Sequence, residues 1–309
     1  MKRNLLLKGL TLAAFSAQMA AAQEIKTGPT SSHAPYIHPL ESGAKSVSLL
    51  TVGDNIGGYR MVGLPDGLGA YDNGDGTFTV LMNHELGATA GAVRAHGSTG
   101  AFVSKWVVSK SDLSVLSGSD LIRNAMLWNR STGSYTLSNA ANPSPLARFG
   151  RFCSADLPAP SAFYNAATGL GTPNRIFMNG EETGTEGRGM AHIVTGPAAG
   201  TSYELPRLGR YSYENAVANP ATGDKTVVIG LDDATPGEVY VYIGTKTNSG
   251  SDVEKAGLTN GRLYGLAVAG LTIETNGSVP APNTPFTLAD LGTAENMTGA
   301  QLQSASINL

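Results

Sequence analysis

The sequence contains little charge and a single cysteine. Charged residues account for 15% of its 309 positions, against about 25% in an average soluble protein. The 21 lysine and arginine residues form no dense cluster, so the chain lacks the concentrated basic surface that nucleic-acid binding requires. One cysteine, Cys153, excludes an intramolecular disulfide framework. We therefore expect neither a nucleic-acid partner nor a disulfide-stabilised fold.

Long hydrophobic runs are also scarce. Beyond the N-terminus, no segment is apolar over the roughly 20 residues that a membrane-spanning helix needs. At the N-terminus, Lys2 and Arg3 precede an apolar run that ends in three alanines at 20–22, a pattern typical of a cleaved secretory signal. We predict that residues 1–22 are a signal peptide, and that the mature chain has no transmembrane segment and is periplasmic or secreted.

Glycine is abundant, with 39 residues, which predicts many tight turns. Gly, Asn, Asp and Pro separate short runs of β-type residues at 77–82, 102–108, 175–178, 225–229, 238–243 and 262–268. These runs predict an all-β protein, with 225–229 and 238–243 forming a hairpin. A sandwich and a propeller both fit this pattern, and the number of runs together with the chain length favours a β-propeller.

The two ends of the chain lack β periodicity. We expect residues 23–45 to be an irregular lead-in and residues 46–309 to form the propeller domain. Because residues 271–309 are polar and aperiodic, we expect no regular structure there and a propeller that is incomplete at its C-terminus.

Acidic residues recur where the β runs end. This pattern applies to Glu85, Glu181, Glu182, Glu214, Asp232 and Asp233. Strand ends on one rim of a propeller converge on its central channel, where carboxylates repel each other unless cations neutralise them. Calcium suits such a site because it takes 6–8 oxygen ligands, and a thiolate from Cys153 would add a position suited to iron or zinc. Taken singly, each of these acids is equally compatible with a solvated loop.

The adjacent pair Glu181-Glu182 needs a special geometry to act together, since neighbouring residues on a strand point to opposite faces. Either the strand breaks at Gly180, or only one of the two carboxylates is a ligand. Asn179-Gly180 favours the break, because glycine tolerates the backbone angles of a bend. We therefore predict that both carboxylates turn inward.

Five segments resemble, in order, motifs of the PhoX-type alkaline phosphatase family. They are the Asn-His-Glu segment at 80–87, the Glu-Glu strand at 175–182, the Gly-Arg at 187–188, the Gly-Arg-x-x-x-Glu segment at 209–214, and the Gly-x-Asp-Asp hairpin at 228–242. Gly180 stands where the family has a cysteine, and Tyr213 stands where it has a histidine. The chain is identified as a divergent, C-terminally truncated member of this family.

The resemblance implies a β-propeller with metals at one end of its channel, and an exported phosphatase that hydrolyses phosphate monoesters of small molecules with calcium and iron. The implied metal ligands are Glu85, Cys153, Glu181, Glu182, Glu214, Asp232 and Asp233, with Cys153 on iron. Asn83 and Arg188 are the residues expected to contact the substrate phosphate, and Arg94 and Arg151 are further candidates. Two alternatives stay open: another calcium-dependent propeller hydrolase, such as a lactonase, and a non-catalytic calcium-binding propeller.

Overall fold

The computed structural model describes residues 24–41, 43–271, 273, 275 and 279–306. The predicted signal peptide, residues 1–22, lies outside the described residues. The first strands are Glu24–Thr27 (β1), Lys45–Ser48 (β2), Asn55–Ile56 (β3), Tyr59–Arg60 (β4), Pro65–Asp72 (β5), Thr77–His84 (β6), Phe102–Ser109 (β7) and Val115–Asp120 (β8).

The remaining elements continue this β-rich pattern. The next strands are Asn124–Asn129 (β9), Ser134–Asn139 (β10), Phe152–Asp156 (β11), Tyr164–Asn165 (β12), Leu170–Gly171 (β13), Ile176–Glu181 (β14), Gly189–Ile193 (β15) and Thr201–Glu204 (β16). The last elements are Tyr213–Ala218 (β17), Lys225–Asp232 (β18), Val239–Thr245 (β19), Asp252–Lys255 (α1), Arg262–Ala267 (β20), Thr287–Gly292 (β21) and Gly299–Ser306 (α2). Short 3-10 turns lie at Pro145–Ala147, Pro160–Ala162, Pro206–Leu208 and Ala294–Asn296.

Three large sheets build the fold. The first is β5-β6-β7-β8, the second is β10-β9-β16-β15-β14-β11, and the third is β17-β18-β19-β20-β21. All pairings within them are antiparallel except that of β16 with β9. The edge strand β11 of the second sheet contacts both β5 and β17, so the sheets follow each other around a common axis as propeller blades do. The predicted all-β, propeller-like fold and the β18–β19 hairpin are therefore confirmed.

Apolar side chains fill the spaces between the sheets. One cluster, including Leu81, Phe149 and Phe177, lies between the first and second sheets. A larger cluster, including Met178 and Tyr240, lies between the second and third sheets. The second sheet is covered on both faces for this reason, and every residue of β14 is buried, as expected of a strand with two packed faces.

Two glycines let strands of neighbouring sheets approach closely. A Cβ atom on Gly67 of β5 would lie 2.4 Å from the backbone nitrogen of Ala155 on β11, and one on Gly180 of β14 would lie 2.3 Å from Cγ of Tyr213 on β17. Larger residues would push these strands apart. The close approach brings the starts of β5, β11 and β17 to one end of the axis, where the predicted site residues lie.

The expectation of irregular chain ends is wrong in three places. Within the expected lead-in, β1 pairs in parallel with β2. Near the C-terminus, β21 pairs with β20, and α2 buries Leu302 in the larger core cluster. These elements are short and have no extended apolar period, so strand pairing and docking against the core decide their structure. No helix in the described part of the chain is long and apolar enough to cross a membrane.

Candidate metal centre

The same rim position recurs in all three sheets. We call β5, β11 and β17 the inner strands, because β11 contacts both of the others across the sheets. The first residue of each inner strand pairs with the last residue of its neighbour in the sheet: Pro65 with His84, Phe152 with Glu181, and Tyr213 with Asp232. In each sheet the pairing register shifts directly after this pair. Such bulges redirect side chains and are frequent beside functional sites.

Each sheet contributes two ligand-type side chains at this rim. One comes from the second residue of the inner strand and one from the residue after the neighbouring strand. We call these six residues the rim set: Asp66 and Glu85, Cys153 and Glu182, and Glu214 and Asp233. The repeat explains why four of the predicted acids and the cysteine occupy equivalent places in the fold.

Three members of the rim set converge most closely. The sulfur of Cys153 and a carboxylate oxygen from each of Glu182 and Glu214 all lie within 4.8 Å of one another. Sγ of Cys153 is 3.6 Å from Oε2 of Glu214, and the hydroxyl of Ser154 donates to Oε1 of Glu214 at 3.1 Å. A thiol and two carboxylates at this separation form a donor set that one metal ion can bridge.

The electrostatics of the rim set show an excess of negative charge. Burial raises the pKa of the Cys153 thiol to about 12, and Asp66 and Glu214 add to the effect. Burial also raises the pKa of Asp66, with Glu85 and Glu214 contributing. The pKa of Glu182 is raised by burial, by Asp233 and by Glu85, although Arg151 opposes the shift. A bound cation would relieve this repulsion.

Arg151 is the cation that the structure places among these acids. Its Nη2 lies 2.7 Å from Oε1 of Glu85 and donates to both carboxylate oxygens of Glu182 at 2.8 and 2.9 Å. Its Nε also donates to Glu85, at 2.8 Å. The Arg151 side chain is 50% exposed, so its guanidinium reaches solvent at the rim.

Glu181 does not join the rim set. Its carboxylate accepts two hydrogen bonds from Arg188, from Nε and from Nη2, the latter at 2.8 Å, and one from the backbone N–H of Gly150 at 2.9 Å. The predicted break at Gly180 is wrong, because Gly180 continues β14 beneath the ring of Tyr213. Glu181 and Glu182 therefore point to opposite sides, as on any extended strand.

Arg188 and Asp232 are likewise engaged away from the rim set. Besides Glu181, Arg188 donates from Nη1 to the carbonyl of Leu146 at 2.8 Å, and its side chain is only 11% exposed. Asp232 accepts from the backbone N–H of Ser212 at 3.2 Å, and burial raises its pKa to about 6. The structure thus brings neither residue into the Cys153 group.

Asn83 lies fully buried beneath Cys153. Its Nδ2 donates to the carbonyl of Cys153 at 2.5 Å, and its Oδ1 accepts from Asn179 at 2.8 Å. The chain of hydrogen bonds continues from His192 to Oδ1 of Asn179 at 2.8 Å and from the hydroxyl of Ser202 to Nδ1 of His192 at 2.7 Å. Asn83 therefore fixes the backbone of Cys153, and both polar atoms of its amide are engaged inside the protein.

Because His192 is part of this buried hydrogen-bond network, the stability of the protein depends on pH. Burial lowers the pKa of His192 to about 3, whereas an unfolded histidine titrates near 6.5. Between these values the unfolded chain binds more protons, so stability falls as the pH falls below 6.5. We expect His192 to cost about 2 kcal/mol of unfolding free energy at pH 5 relative to pH 7.

Urea unfolding of the wild type and of His192→Gln at both pH values checks this expectation. The variant lacks the titrating ring, so its stability should change by about 2 kcal/mol less between pH 7 and pH 5. The other ionisable groups are common to both proteins and cancel. Equal pH dependence of the two proteins would show that His192 does not titrate in this way.

Sequence reasoning missed Asp66 and gave Arg151 too little weight. The search followed acids at strand ends, whereas Asp66 lies near the start of β5, which shares the rim with the end of β6. Extending the search to the starts of antiparallel neighbours would have found it. Arg151 precedes β11 with a φ of 38°, a conformation that the sequence does not reveal.

A cavity of about 570 Å³ lies elsewhere, among Trp128, Tyr135, Arg207 and Glu295. Its Arg207 and Glu295 form an ion pair with each other. The rim set, in contrast, combines five carboxylates with a thiol, and Arg151 pairs with two of these carboxylates. The rim set is therefore the candidate site for a metal.

Comparisons with known proteins agree with this fold. No protein-family model matches the sequence, and no curated protein matches it. The chain is similar in structure to Pseudomonas fluorescens PhoX in complex with vanadate, a transition state analogue, with 13% sequence identity and a TM-score of 0.52. The match covers 79% of this chain and 54% of the PhoX chain, so the protein spans about half the length of that structure. At this identity the similarity concerns the fold.

Proposed function

We propose that the protein is an exported, metal-dependent phosphatase that hydrolyses phosphate monoesters of small molecules at the rim set. The observation that carries the proposal is the convergence of Cys153, Glu182 and Glu214 within 4.8 Å, at positions that repeat in all three sheets. The structural similarity to PhoX, which was solved with a transition state analogue, supports the phosphatase class. The N-terminal sequence pattern supports export.

The donor set fits calcium together with a softer metal. Carboxylate oxygens from five residues of the rim set suit calcium, and a thiol beside two carboxylates suits iron. Burial and the neighbouring carboxylates raise the pKa of the Cys153 thiol, and a bound cation would oppose that shift by favouring the thiolate. Bound metal would supply charge stabilisation for the transferring phosphoryl group and lower the pKa of a water molecule.

The residues around the rim set hold it in place. Phosphoryl transfer depends on positioning and charge rather than on covalent chemistry by the protein. Asn83 orients Cys153 through its carbonyl. The Glu181–Arg188 pair holds the segment before β11 through Gly150 and Leu146. We assign Asn83, Glu181 and Arg188 to positioning on this basis, and Asp232 to the strand end that presents Asp233.

A substrate panel tests the proposed activity. p-Nitrophenyl phosphate, a phosphodiester and a lactone are each assayed after chelation and after addition of Ca²⁺ and Fe³⁺. We expect the monoester to be hydrolysed, and only with metal present. Hydrolysis of the lactone alone would favour the other calcium-dependent hydrolase. Calcium binding without any hydrolysis would favour a non-catalytic propeller.

Calcium is expected to raise the melting temperature. A ligand that binds only the folded state adds about 2.7 kcal/mol of stability at 100 times its Kd. For a chain of this size, with an unfolding entropy of about 2.1 cal/mol/K per residue, that corresponds to a rise of about 4–5 °C over chelator-treated protein. Differential scanning calorimetry with and without Ca²⁺ measures the shift, with Mg²⁺ as the control ion. Identical melting in calcium and in chelator would contradict a calcium site.

A further inference from the structure

We propose that Arg151 is the residue that binds the substrate phosphate, and that without metal its guanidinium stands in for a cation between Glu85 and Glu182. This inference rests on the proposed function. It assigns to Arg151 two alternating partners: the carboxylates of the rim set in the metal-free protein, and the phosphate oxygens in the metal-loaded protein.

Arg151 forms ion pairs with two acids of the rim set, as a bound metal cation would. Nη2 and Nε lie 2.7 and 2.8 Å from Glu85, and Nη2 lies within 2.9 Å of both oxygens of Glu182. Glu85 follows a strand of the first sheet and Glu182 follows a strand of the second. One guanidinium therefore pairs with carboxylates from two different sheets. Glu182 is shared with the Cys153 group.

Uncharged residues occupy the position of Arg151 in the other two sheets. Leu64, Arg151 and Ser212 each precede an inner strand, and each carbonyl accepts a hydrogen bond from the N–H of the rim acid, at 2.8–2.9 Å. Leu64 shares the left-handed backbone, with a φ of 53° against 38° for Arg151. Only the second sheet presents a cation here, so its guanidinium is not a requirement of the turn.

A metal ion and the Arg151 guanidinium would compete for Glu182, and this competition would couple metal binding to phosphate binding. Glu182 and Glu85 would hold a bound metal ion with the same oxygens that now accept from Arg151, so the half-exposed guanidinium would lose these partners and be free to turn. Its planar fork can hold two phosphate oxygens at once. Arg188 cannot take this role in the same way, because it is buried against Glu181 and Leu146.

The test uses Arg151→Gly, Arg151→Lys and the control Leu64→Gly. Glycine suits the left-handed backbone at both positions, so each variant removes a side chain without straining the turn. Ca²⁺ affinity is measured by calorimetry with the metal alone. Inhibition of monoester hydrolysis by inorganic phosphate is measured on the metal-loaded proteins. Circular dichroism confirms that each variant is folded.

We expect Arg151→Gly to bind Ca²⁺ at least about fivefold more tightly and phosphate at least about tenfold more weakly. Arg151→Lys keeps the charge but loses the fork, so its Ca²⁺ affinity should stay near that of the wild type while phosphate binding weakens. Leu64→Gly should match the wild type in both measurements.

Two failures are distinguishable. If wild-type protein binds Ca²⁺ and hydrolyses the monoester, but Arg151→Gly shows unchanged or weaker Ca²⁺ binding or unchanged phosphate inhibition, the role of Arg151 is overturned and the proposed function stands. If wild-type protein binds no Ca²⁺ and hydrolyses no monoester, the proposed function fails, and the role of Arg151 fails with it.

Discussion

Replacing Glu182 by glutamine is expected to remove most of the bound metal and to lower phosphatase activity by about 100-fold or more. Glutamine keeps the shape of the side chain but removes the charge that lies beside Cys153 and Glu214. Arg151 loses one of its two carboxylate partners. Because the Arg151 side chain is 50% exposed and keeps its pair with Glu85, the unfolding free energy should change by less than about 1 kcal/mol.

Elemental analysis, p-nitrophenyl phosphate hydrolysis and urea unfolding of Glu182→Gln measure these three effects. Glu41→Gln, which neutralises an exposed carboxylate before β2, serves as the control and should behave as the wild type. Undiminished metal content in Glu182→Gln would remove Glu182 from the site.

Replacing the adjacent Glu181 is expected to lower the stability of the protein and to leave its metal content unchanged. Its carboxylate and the guanidinium of Arg188 are 6% and 11% exposed and share two hydrogen bonds. Breaking a buried pair leaves a charge without a partner, and such changes cost about 3–5 kcal/mol. Glu181→Gln should therefore destabilise the protein by this amount, while the folded fraction keeps its metal.

The double variant Glu181→Gln/Arg188→Met controls for the cause of the loss. It removes both charges, so part of the lost unfolding free energy should return. Urea unfolding of the two variants and the wild type measures the recovery. A loss below about 1 kcal/mol in Glu181→Gln, combined with loss of metal, would instead place Glu181 in the metal site.

The fold was predictable where strands carry apolar residues. The runs at 77–82 and 225–229 lie within β6 and β18, and the run at 238–243 overlaps β19 in all but its first residue, because alternating burial leaves a visible pattern. In contrast, α2 reads Gly-Ala-Gln-Leu-Gln-Ser-Ala-Ser and buries mainly Leu302. One anchoring leucine gives no periodicity, so docking against the core decides that this segment is helical.

The sequence predicted which acids lie at strand ends, but it did not predict the direction in which each side chain points. The recurrence of acids after strand ends singled out Glu85, Glu182 and Asp233, and the structure places all three on this rim. The sequence could not separate Glu182 from Glu181, because the direction of each side chain depends on where β14 ends and on the bulge in β11. It also could not show the threefold repeat, since Asp66, Cys153 and Glu214 differ in residue type.

X-ray diffraction from crystals grown with Ca²⁺ and Fe³⁺, recorded at the iron absorption edge, tests the metal site most directly. We predict an anomalous peak at bonding distance from Sγ of Cys153 and from carboxylate oxygens of Glu182 and Glu214, with the Arg151 guanidinium turned away from Glu182. Iron bound elsewhere, or crystals in which these three side chains hold no metal and Arg151 still pairs with Glu182, would contradict the proposed centre.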